Sequence, residues 1–268
     1  MKVVAAVAAV IALSQSNSVD PLLARLDAYL ADYEPQLSAL VADESMMQEV
    51  RGPQRLRLQR QLESEVAFIA LPDVGWLGFR HVKTVNTTPV GLADASLTTA
   101  LGEQGLALAR TLLREGAKHN LGLPRTTNLP NLPLEFLHPR NRRRFVTRAN
   151  GQETVRGIRT SRVVFLERMT PTLVQNRDTG GNIPSVVRAW IDPRDGRLLR
   201  AEIETFESAS AKQSQSSLRV EFAENKMLGL FVPIEMRETF PAGKPLRGTA
   251  VASYTNFRRF TTSARIVQ

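Results

Sequence analysis

The sequence predicts an α+β fold in which a curved antiparallel β-sheet packs on N-terminal and central helices. From 154 to 260, short stretches with strand-like alternation are separated by turn-rich gaps, which favours a meander of about seven antiparallel strands. Two earlier segments, 20–51 and 97–118, instead repeat apolar residues at helical spacing. Because such a sheet has an apolar face to cover, we expect these helices to lie on it, and the sheet to curve, up to a half-barrel.

A long β-hairpin over Val186–Phe206 is the best-defined element of the predicted sheet. Asp192, Pro193 and Gly196 suit a type I turn followed by a left-handed residue, because proline pre-sets φ and glycine accepts a positive φ. A loop at 193–196 predicts three pairs across the strands: Trp190 with Leu199, Arg188 with Ala201, and Val186 with Ile203. The Trp190 face should be core, and the opposite, wet face should carry Arg200, Glu202 and Glu204.

The N-terminal helical segment is predicted over 19–53. Asp20 is typical of an N-cap and Pro21 of the first helical position. Pro35 falls in the middle of the apolar repeat, where proline removes a backbone donor and clashes with the preceding turn. We therefore expect a kink or a division into two helices.

The middle of the chain predicts a strand pair plus a helix over 55–122 and an irregular segment over 123–150. The strands are expected near 55–71 and 76–85, and the helix 97–118 is expected to end at Gly122. The segment 123–150 is rich in proline and arginine, yet it also contains apolar residues that a flexible linker would lack. We expect it to pack down, with one helical turn from Asn131, and 19–268 to form a single domain.

The first residues predict a cleaved signal peptide. An apolar run from 3 to 13 is followed by Ala12 and Ser14 in the pattern of a signal-peptidase site. We expect residues 1–14 to be removed, with cleavage as late as Ser18 as an alternative. The run is shorter than the roughly 20 residues that span a bilayer. The chain is therefore expected to be exported to the periplasm or the medium, with no transmembrane segment.

The side chains available for catalysis are few. The sequence has no cysteine, and its three histidines, His81, His119 and His138, do not have the spacing of metal ligands. Serine-nucleophile and nucleotide-binding motifs are also missing from the sequence. Glu235 and Glu238 lie three apart on a predicted strand, so they should face opposite sides of the sheet. We expect no cofactor and no metal, and an enzyme is the least favoured class.

The whole chain has a formal net charge of +9. Its positive charge is densest in one segment. Five arginines form a candidate patch for an anionic partner: Arg140, Arg142, Arg143, Arg144 and Arg148. Such a cluster would attract nucleic acid in a cytosolic protein. An exported chain instead meets lipid head groups, polysaccharides and envelope proteins, so we expect no nucleic acid. The alternative interpretation is a solvated, partly structural loop.

The motif W-I-D-x-x-x-G-x-L-x-R at Trp190–Arg200 resembles the hairpin of the periplasmic lipoprotein-carrier superfamily, which includes lipoprotein carriers and anti-sigma regulators with a half-barrel fold. Three further segments resemble an uncharacterised family of exported bacterial proteins: Tyr29–Glu44, Pro233–Glu238 and Tyr254–Phe260. That family has no established activity. The resemblance implies a single domain with a half-barrel sheet.

The sequence is compatible with two functions. The first hairpin strand has apolar residues on both faces, more than a one-sided sheet requires, and this favours an apolar groove between sheet and helices. Its candidate groove or core residues are Val187, Ala189, Trp190 and Ile191. The expected function is non-enzymatic binding of a lipid, an acyl chain or a lipoprotein-like segment. The alternative is an interaction or structural module of the cell envelope that uses the basic surface.

Overall fold

The computed structural model describes residues 19–38, 40–52, 56–71, 75–90, 114–122, 125, 127–176, 179–243 and 245–259. Helix α1 spans Asp20–Leu37, residues 114–118 are helical, α2 spans Leu132–Leu137, and a 3-10 helix spans Pro139–Arg144. The predicted signal peptide and most of the predicted helix 97–118 lie outside the described residues. No helix in the described ranges is both long and apolar enough to cross a membrane.

Eleven strands form one antiparallel sheet, which confirms the predicted α+β class with a curved sheet. The early strands are β1 (Leu40–Arg51), β2 (Leu56–Leu71), β3 (Gly75–Val85) and β4 (Thr88–Pro89). The later strands of this sheet are β5 (Phe145–Val155), β6 (Ile158–Glu167), β9 (Ser185–Ile191), β10 (Leu198–Thr205), β11 (Ser216–Asn225), β12 (Leu230–Pro241) and β13 (Arg247–Arg259). A separate pair consists of β7 (Val174–Gln175) and β8 (Asn182–Ile183).

The strand order is β4-β3-β2-β1-β13-β12-β11-β10-β9-β6-β5. Neighbouring strands are mostly consecutive in the chain, as short turns require. There are two exceptions: β6 pairs with β9, and β1 pairs with β13 and so joins the N-terminal strands to the predicted C-terminal meander. The strands predicted near 55–71 and 76–85 are β2 and β3, and they belong to this same sheet, which begins one strand earlier, at Leu40.

The N-terminal segment is helical only as far as Leu37, so the prediction of helix up to 51 is wrong. Helix α1 begins at Asp20 with Val19 as its N-cap, so Asp20 and Pro21 each lie one position further into the helix than predicted, and Pro35 lies in the last turn. Residues 40–51 form β1, in which every second side chain from Ala42 to Val50 is buried. Two of those buried side chains, Glu44 and Gln48, are polar, and they concealed the strand period of two.

The hairpin β9–β10 forms with the predicted turn but with a different register. Gly196 has φ +80°, and its N–H donates to the carbonyl of Asp192 at 2.9 Å. A register shift between Leu198 and Arg200 places Trp190 opposite Arg200 and not opposite Leu199. The other predicted pairs shift by one in the same way: Ala189 lies opposite Ala201, and Val187 lies opposite Ile203.

Trp190 consequently lies on the outer face of the sheet, with Arg188, although it is buried. Its Nε1–H donates to Glu153 at 2.7 Å, and the Arg200 guanidinium lies 5.1 Å from its ring centroid. Arg200, Glu202 and Glu204 are on this face as predicted. The start of the predicted meander, at 154, also differs, because β5 begins at Phe145, within the segment expected to be irregular, and a turn at 156–157 separates β5 from β6.

Helix α1 closes one end of the covered face. A Cβ built on Gly196 would lie 2.2 Å from the carbonyl oxygen of Arg25, so the hairpin turn contacts the α1 backbone directly. Near the other end of α1, the hydroxyl of Ser38 accepts a hydrogen bond from the N–H of Ala70 in β2 at 2.9 Å. Helix α2 packs on the same face through Leu134, as the apolar residues of 123–150 predicted.

Candidate functional site

A cavity of about 190 Å³ lies between the covered face of the sheet and the elements that cover it. Ile203 of β10, Leu218 of β11 and Phe240 of β12 form its floor. Leu132 of α2 and the β7–β8 pair, through Val174 and Ile183, form its cover. These six side chains make the walls mainly apolar.

The cavity opens toward the end of the sheet opposite α1. Thr205, Gln215 and Ser216 line this end, where β10 stops and β11 starts. The hydroxyl groups of Thr205 and Ser216 are 2.6 Å apart and hydrogen-bonded to each other. An apolar group in the cavity would therefore have hydroxyl and amide groups near its exit.

Arg125 and Glu238 form the polar wall of the cavity. Arg125 Nε and Nη2 donate to the two carboxylate oxygens of Glu238 at 2.6 and 3.0 Å. The Arg125 guanidinium also lies 3.4 Å from the ring centroid of Phe240. Such a paired and stacked guanidinium presents little uncompensated charge to the cavity.

A second ion pair is buried farther along the same face. Arg80 Nε and Nη2 donate to the Glu44 carboxylate at 2.5 and 2.8 Å, and the Tyr254 hydroxyl donates to it at 2.9 Å. The side chains of Arg80 and Glu44 are only 4% and 0% exposed. Burial alone would lower the pKa of Arg80, but the Glu44 carboxylate raises that pKa above its ordinary value. Burial, and then Glu44, raises the pKa of Tyr254 well above its usual range.

Residues 119–122 and 127–131 are attached to the sheet by polar contacts at these two ion pairs. The carbonyl of Asn128 accepts from Arg80 at 2.8 Å, and the carbonyl of Leu121 accepts from Arg125 at 2.7 Å. Gln48 of β1 accepts from the N–H of Leu121 at 3.0 Å. These residues, with the two ion pairs and Tyr254, are called the polar network below.

The polar network is suited to holding structure and not to acid-base catalysis. Each carboxylate is matched by an arginine, and arginine does not release its proton in proteins.

Within the described ranges, no cluster of three or more histidine, aspartate or glutamate side chains could hold a metal ion. His138 accepts from the N–H of Arg140 at 3.1 Å and lies 3.3 Å from Glu34, and it is not among the residues that line the cavity. Burial, followed by Arg60, lowers the pKa of His119.

The candidate groove or core residues of β9 do not line the cavity. Val187, Ala189 and Ile191 are fully buried on the covered face, and Trp190 is buried on the outer face. Glu235 and Glu238 face opposite sides, as predicted: Glu235 bonds Arg237 on the outer face at 2.7 Å, and Glu238 bonds Arg125.

The five arginines of the candidate patch have different surroundings. Arg140 bonds Glu135 at 2.5 Å, Arg142 bonds Asp27, and Arg144 donates to the carbonyl of Pro171 at 2.7 Å. Arg143 and Arg148 are exposed, and neither has an ion-pair partner in the part of the chain that the structure describes.

Sequence reasoning did not identify Arg80, Arg125 or Glu44 as important. Glu44 and Gln48 were read as part of a helix, so their common face with Ala42, Met46 and Val50 was not recognised. A strict count of alternate positions in 40–51 would have placed two polar side chains among buried apolar ones. That combination is a signal for a buried polar contact.

The chain is distantly similar to several solved structures, one of them a LolA superfamily protein, in line with the distant resemblance of the hairpin motif. One is a domain from Vibrio parahaemolyticus named for outer membrane lipoprotein sorting, with 11% identity and TM-score 0.47, covering 92% of this chain and 94% of that one. A LolA superfamily protein from Nitrosomonas europaea has 10% identity and TM-score 0.37, covering 91% and 93%. A DUF1329 family protein from Desulfovibrio piger has 14% identity and TM-score 0.40, covering 89% and 93%.

No family model matches the sequence, and no curated protein matches it. At such low identities and TM-scores, the solved structures give no information about ligand or activity. The function has to be inferred from the cavity and its surroundings in this chain.

Proposed function

We propose that this protein is a non-enzymatic binding protein that holds an apolar ligand, such as an acyl chain of a lipid or lipoprotein, in the cavity beneath α2 and the β7–β8 pair. The observation that carries the proposal is the cavity itself: about 190 Å³, walled by apolar side chains and open toward one end of the sheet. Ligand sites of this kind combine apolar walls with a few polar groups at defined positions.

The volume limits which ligands fit. An apolar cavity of roughly 150 Å³ lined by Leu, Ile and Phe can bind benzene. The present cavity, at about 190 Å³, has room for one ring or for several methylene groups. A complete small-molecule ligand usually needs a pocket of roughly 300–1,000 Å³. The cavity should therefore hold the end of a chain, with the rest of the ligand extending past the open end.

The polar groups fix the direction in which a chain would enter. The Arg125–Glu238 pair closes the polar wall and has no spare charge for a ligand head group. Thr205, Gln215 and Ser216 lie at the open end and offer hydroxyl and amide hydrogen bonds. A ligand with its apolar end inward and its polar end beside these three residues satisfies both regions.

Calorimetric titration of the purified protein with straight-chain fatty acids, from butanoate to dodecanoate and below their micellar concentrations, tests this function. Each methylene buried in the cavity contributes about 0.8 kcal/mol, so affinity should rise roughly fourfold per methylene until the cavity is full. Equal affinity for all chain lengths, or no binding at any length, would contradict the proposal.

A matched pair of variants locates the site. Ile203→Trp should fill the cavity and abolish binding, because Ile203 forms part of its floor. Val251→Trp adds the same ring to the exposed face of β13 and should leave binding unchanged. Equal loss in both variants, or binding retained in Ile203→Trp, would place the ligand elsewhere. Native mass spectrometry with lipid extraction would show whether such a ligand is already bound after purification.

We also infer that binding takes place outside the cytoplasm, in the periplasm or the medium, because of the apolar run at residues 3–13 and the small residues that follow it. Intact-mass measurement of the protein recovered from a secreting host should show that the first residues have been removed. A protein that retains Met1 would contradict this part of the proposal.

A further inference from the structure

We propose that the edge strand β5 binds an extended acidic segment of another protein, which adds to the sheet as a further strand. This inference is independent of the cavity. It starts from the strand order, in which β5 and β4 are the two edges of the eleven-stranded sheet. β4 has only two residues, whereas β5 has eleven, so among the described strands β5 offers the long edge.

The available part of this edge is the straight segment Phe145–Ala149. A register shift between Ala149 and Gln152, with Gly151 at φ +81°, marks a bulge in the pairing of β5 with β6, which resumes at Gln152. Bulges of this kind twist the rest of an edge away from further pairing. Val146, Arg148 and Ala149 are all exposed, so this segment is accessible. An unpaired edge of this length is a template for main-chain hydrogen bonds to an added strand.

The arginines beside this edge lack the carboxylate partners that most arginines on the outer face from β9 to β13 have. Each of five arginines on the outer face from β9 to β13 has a carboxylate partner: Arg188, Arg200, Arg219, Arg237 and Arg258. Arg143, Arg148 and Arg168 flank or lie on the β5 edge, and none has an ion-pair partner in the described part of the chain. The edge therefore suits a segment that supplies carboxylates.

The side-chain pattern of β5 predicts the pattern of its partner. Val146 is 44% exposed and lies in a row with Leu166 of β6 and Val186 of β9 on the outer face. Arg148 follows two residues later on the same face. An added strand with an apolar residue beside Val146 and an acidic residue two positions away, beside Arg148, would extend both rows.

A second copy of this chain fits the edge poorly. Pairing of two β5 edges would bring the arginines of both copies together, in a chain whose formal net charge is already +9. Like charges directly opposite one another on neighbouring strands are destabilising. The partner that suits the β5 edge is therefore an acidic, extended peptide.

The test uses fluorescence anisotropy with a labelled eight-residue peptide that alternates valine and glutamate with threonine, so that valine and glutamate lie two positions apart. A control peptide carries lysine in place of glutamate. The glutamate peptide should bind, with affinity falling as salt rises, and the lysine peptide should not. Binding of both peptides alike, or of neither, would overturn the proposal.

Two variants and one backbone measurement separate strand addition from simple charge attraction. Arg148→Glu should weaken binding about tenfold or more, and Arg247→Glu, the same change on the exposed start of β13, should change it by about twofold or less. Hydrogen exchange should show new protection within Phe145–Ala149 when the peptide is bound. Binding without protection there, or sedimentation that shows dimers through this edge, would refute an added peptide strand.

Fatty-acid binding in the cavity and peptide binding at the β5 edge can be lost independently of each other. Ile203→Trp should leave peptide binding unchanged, because Ile203 faces the covered side of β10. Arg148→Glu should leave fatty-acid binding unchanged, because Arg148 is exposed on the edge strand. Loss of both activities in either variant would instead indicate a fold defect, which the stability of the same samples would show.

Discussion

The covered face of the sheet has two halves with different chemistry. In the half formed by β3, β2, β1 and β13, the polar network occupies positions that apolar side chains fill elsewhere. Glu44, Arg80 and Tyr254 lie at its centre. Along β10 to β12 the face is apolar and contains the cavity, with Ile203 and Leu218 in its floor. Arg125–Glu238 lies at the boundary between the two halves.

The difference shows how one face can hold a covering segment firmly and still leave an opening. Apolar contacts are non-directional, so a segment held by them alone has many similar positions. Arg80 and Arg125 donate to the carbonyls of Asn128 and Leu121, and Gln48 accepts from the N–H of Leu121; these hydrogen bonds are directional and define one position. The apolar half then needs only the cover of α2 and the β7–β8 pair.

Breaking the central ion pair should have the largest effect. Arg80→Met leaves the Glu44 carboxylate buried without its partner, and removal of one member of a buried pair costs about 3–5 kcal/mol of unfolding free energy. Urea denaturation at neutral pH measures this. Arg237→Met is the control, because Arg237–Glu235 is exposed on the outer face and such pairs contribute about 0–1 kcal/mol. Equal midpoints for the two variants would mean that the polar network is not structural.

The closure of the apolar half by α1 can be tested with two glycines of the same backbone conformation. Gly196 and Gly157 both have φ +80°, but only Gly196 faces another backbone, that of Arg25 and Leu26. Alanine at either position incurs about 1–2 kcal/mol for its left-handed conformation. Gly196→Ala should lose clearly more unfolding free energy than Gly157→Ala, about 3 kcal/mol in all, since α1 must also move. Similar losses would show that α1 does not contact the turn.

The two halves should respond differently to added volume. Leu218→Phe extends into the cavity, so its unfolding free energy should stay within about 1 kcal/mol of the parent. Met46→Phe inserts a ring into the fully buried part of β1 and should cost about 1–3 kcal/mol. Thermal or urea unfolding of both variants checks the pair. A larger loss for Leu218→Phe would mean that the cavity is not open space.

The sequence predicted the apolar half of this face better than the polar half. Asp192, Pro193 and Gly196 were sufficient to predict the hairpin turn, because turn chemistry is local. The register was not predictable, since Leu198 and Leu199 are both buried and an alternating pattern cannot decide between them. β1 was not predicted because Glu44 occupies a buried position that an apolar residue usually fills. Its ion-pair partner, Arg80, lies 36 residues later in the chain and could not be recognised from the local pattern.

The candidate sites were likewise predicted only in part. The apolar residues of β9 predicted a covered face, but the face predicted as core was that of Trp190, whereas Val187, Ala189 and Ile191 lie on the covered side. The cavity lies beside other strands, because its position depends on where α2 and the β7–β8 pair leave space. The arginine cluster at 140–148 was visible in the sequence. Which of its members are engaged within the chain was not, because Asp27 and Glu135, the partners of Arg142 and Arg140, come from two separate helices.

The smallest effect distinguishes two buried tyrosines. The Tyr254 hydroxyl donates to Glu44 at 2.9 Å, whereas the Tyr33 hydroxyl, in α1, is buried and has no hydrogen-bond partner among the described residues. Tyr254→Phe should therefore cost about 1.5–3 kcal/mol, the value of a hydrogen bond to a charged group. Tyr33→Phe should be neutral or slightly stabilising, because it removes only a buried and unsatisfied group. Urea midpoints of the two variants at neutral pH test this difference.

The same tyrosines predict how stability changes at alkaline pH. Burial raises the pKa of Tyr29, Tyr33 and Tyr254, the only tyrosines in the sequence, above their ordinary value near 10. A raised folded-state pKa contributes stability that is complete below pH 10 and declines as pH rises above it, since the unfolded chain releases those protons first. Phenolate absorbance should consequently appear together with unfolding, and Tyr254→Phe should lose less stability between pH 10 and 11 than the parent. Phenolate absorbance that rises near pH 10 in the still-folded protein would mean that these hydroxyls are accessible and that the polar half of the face is not closed.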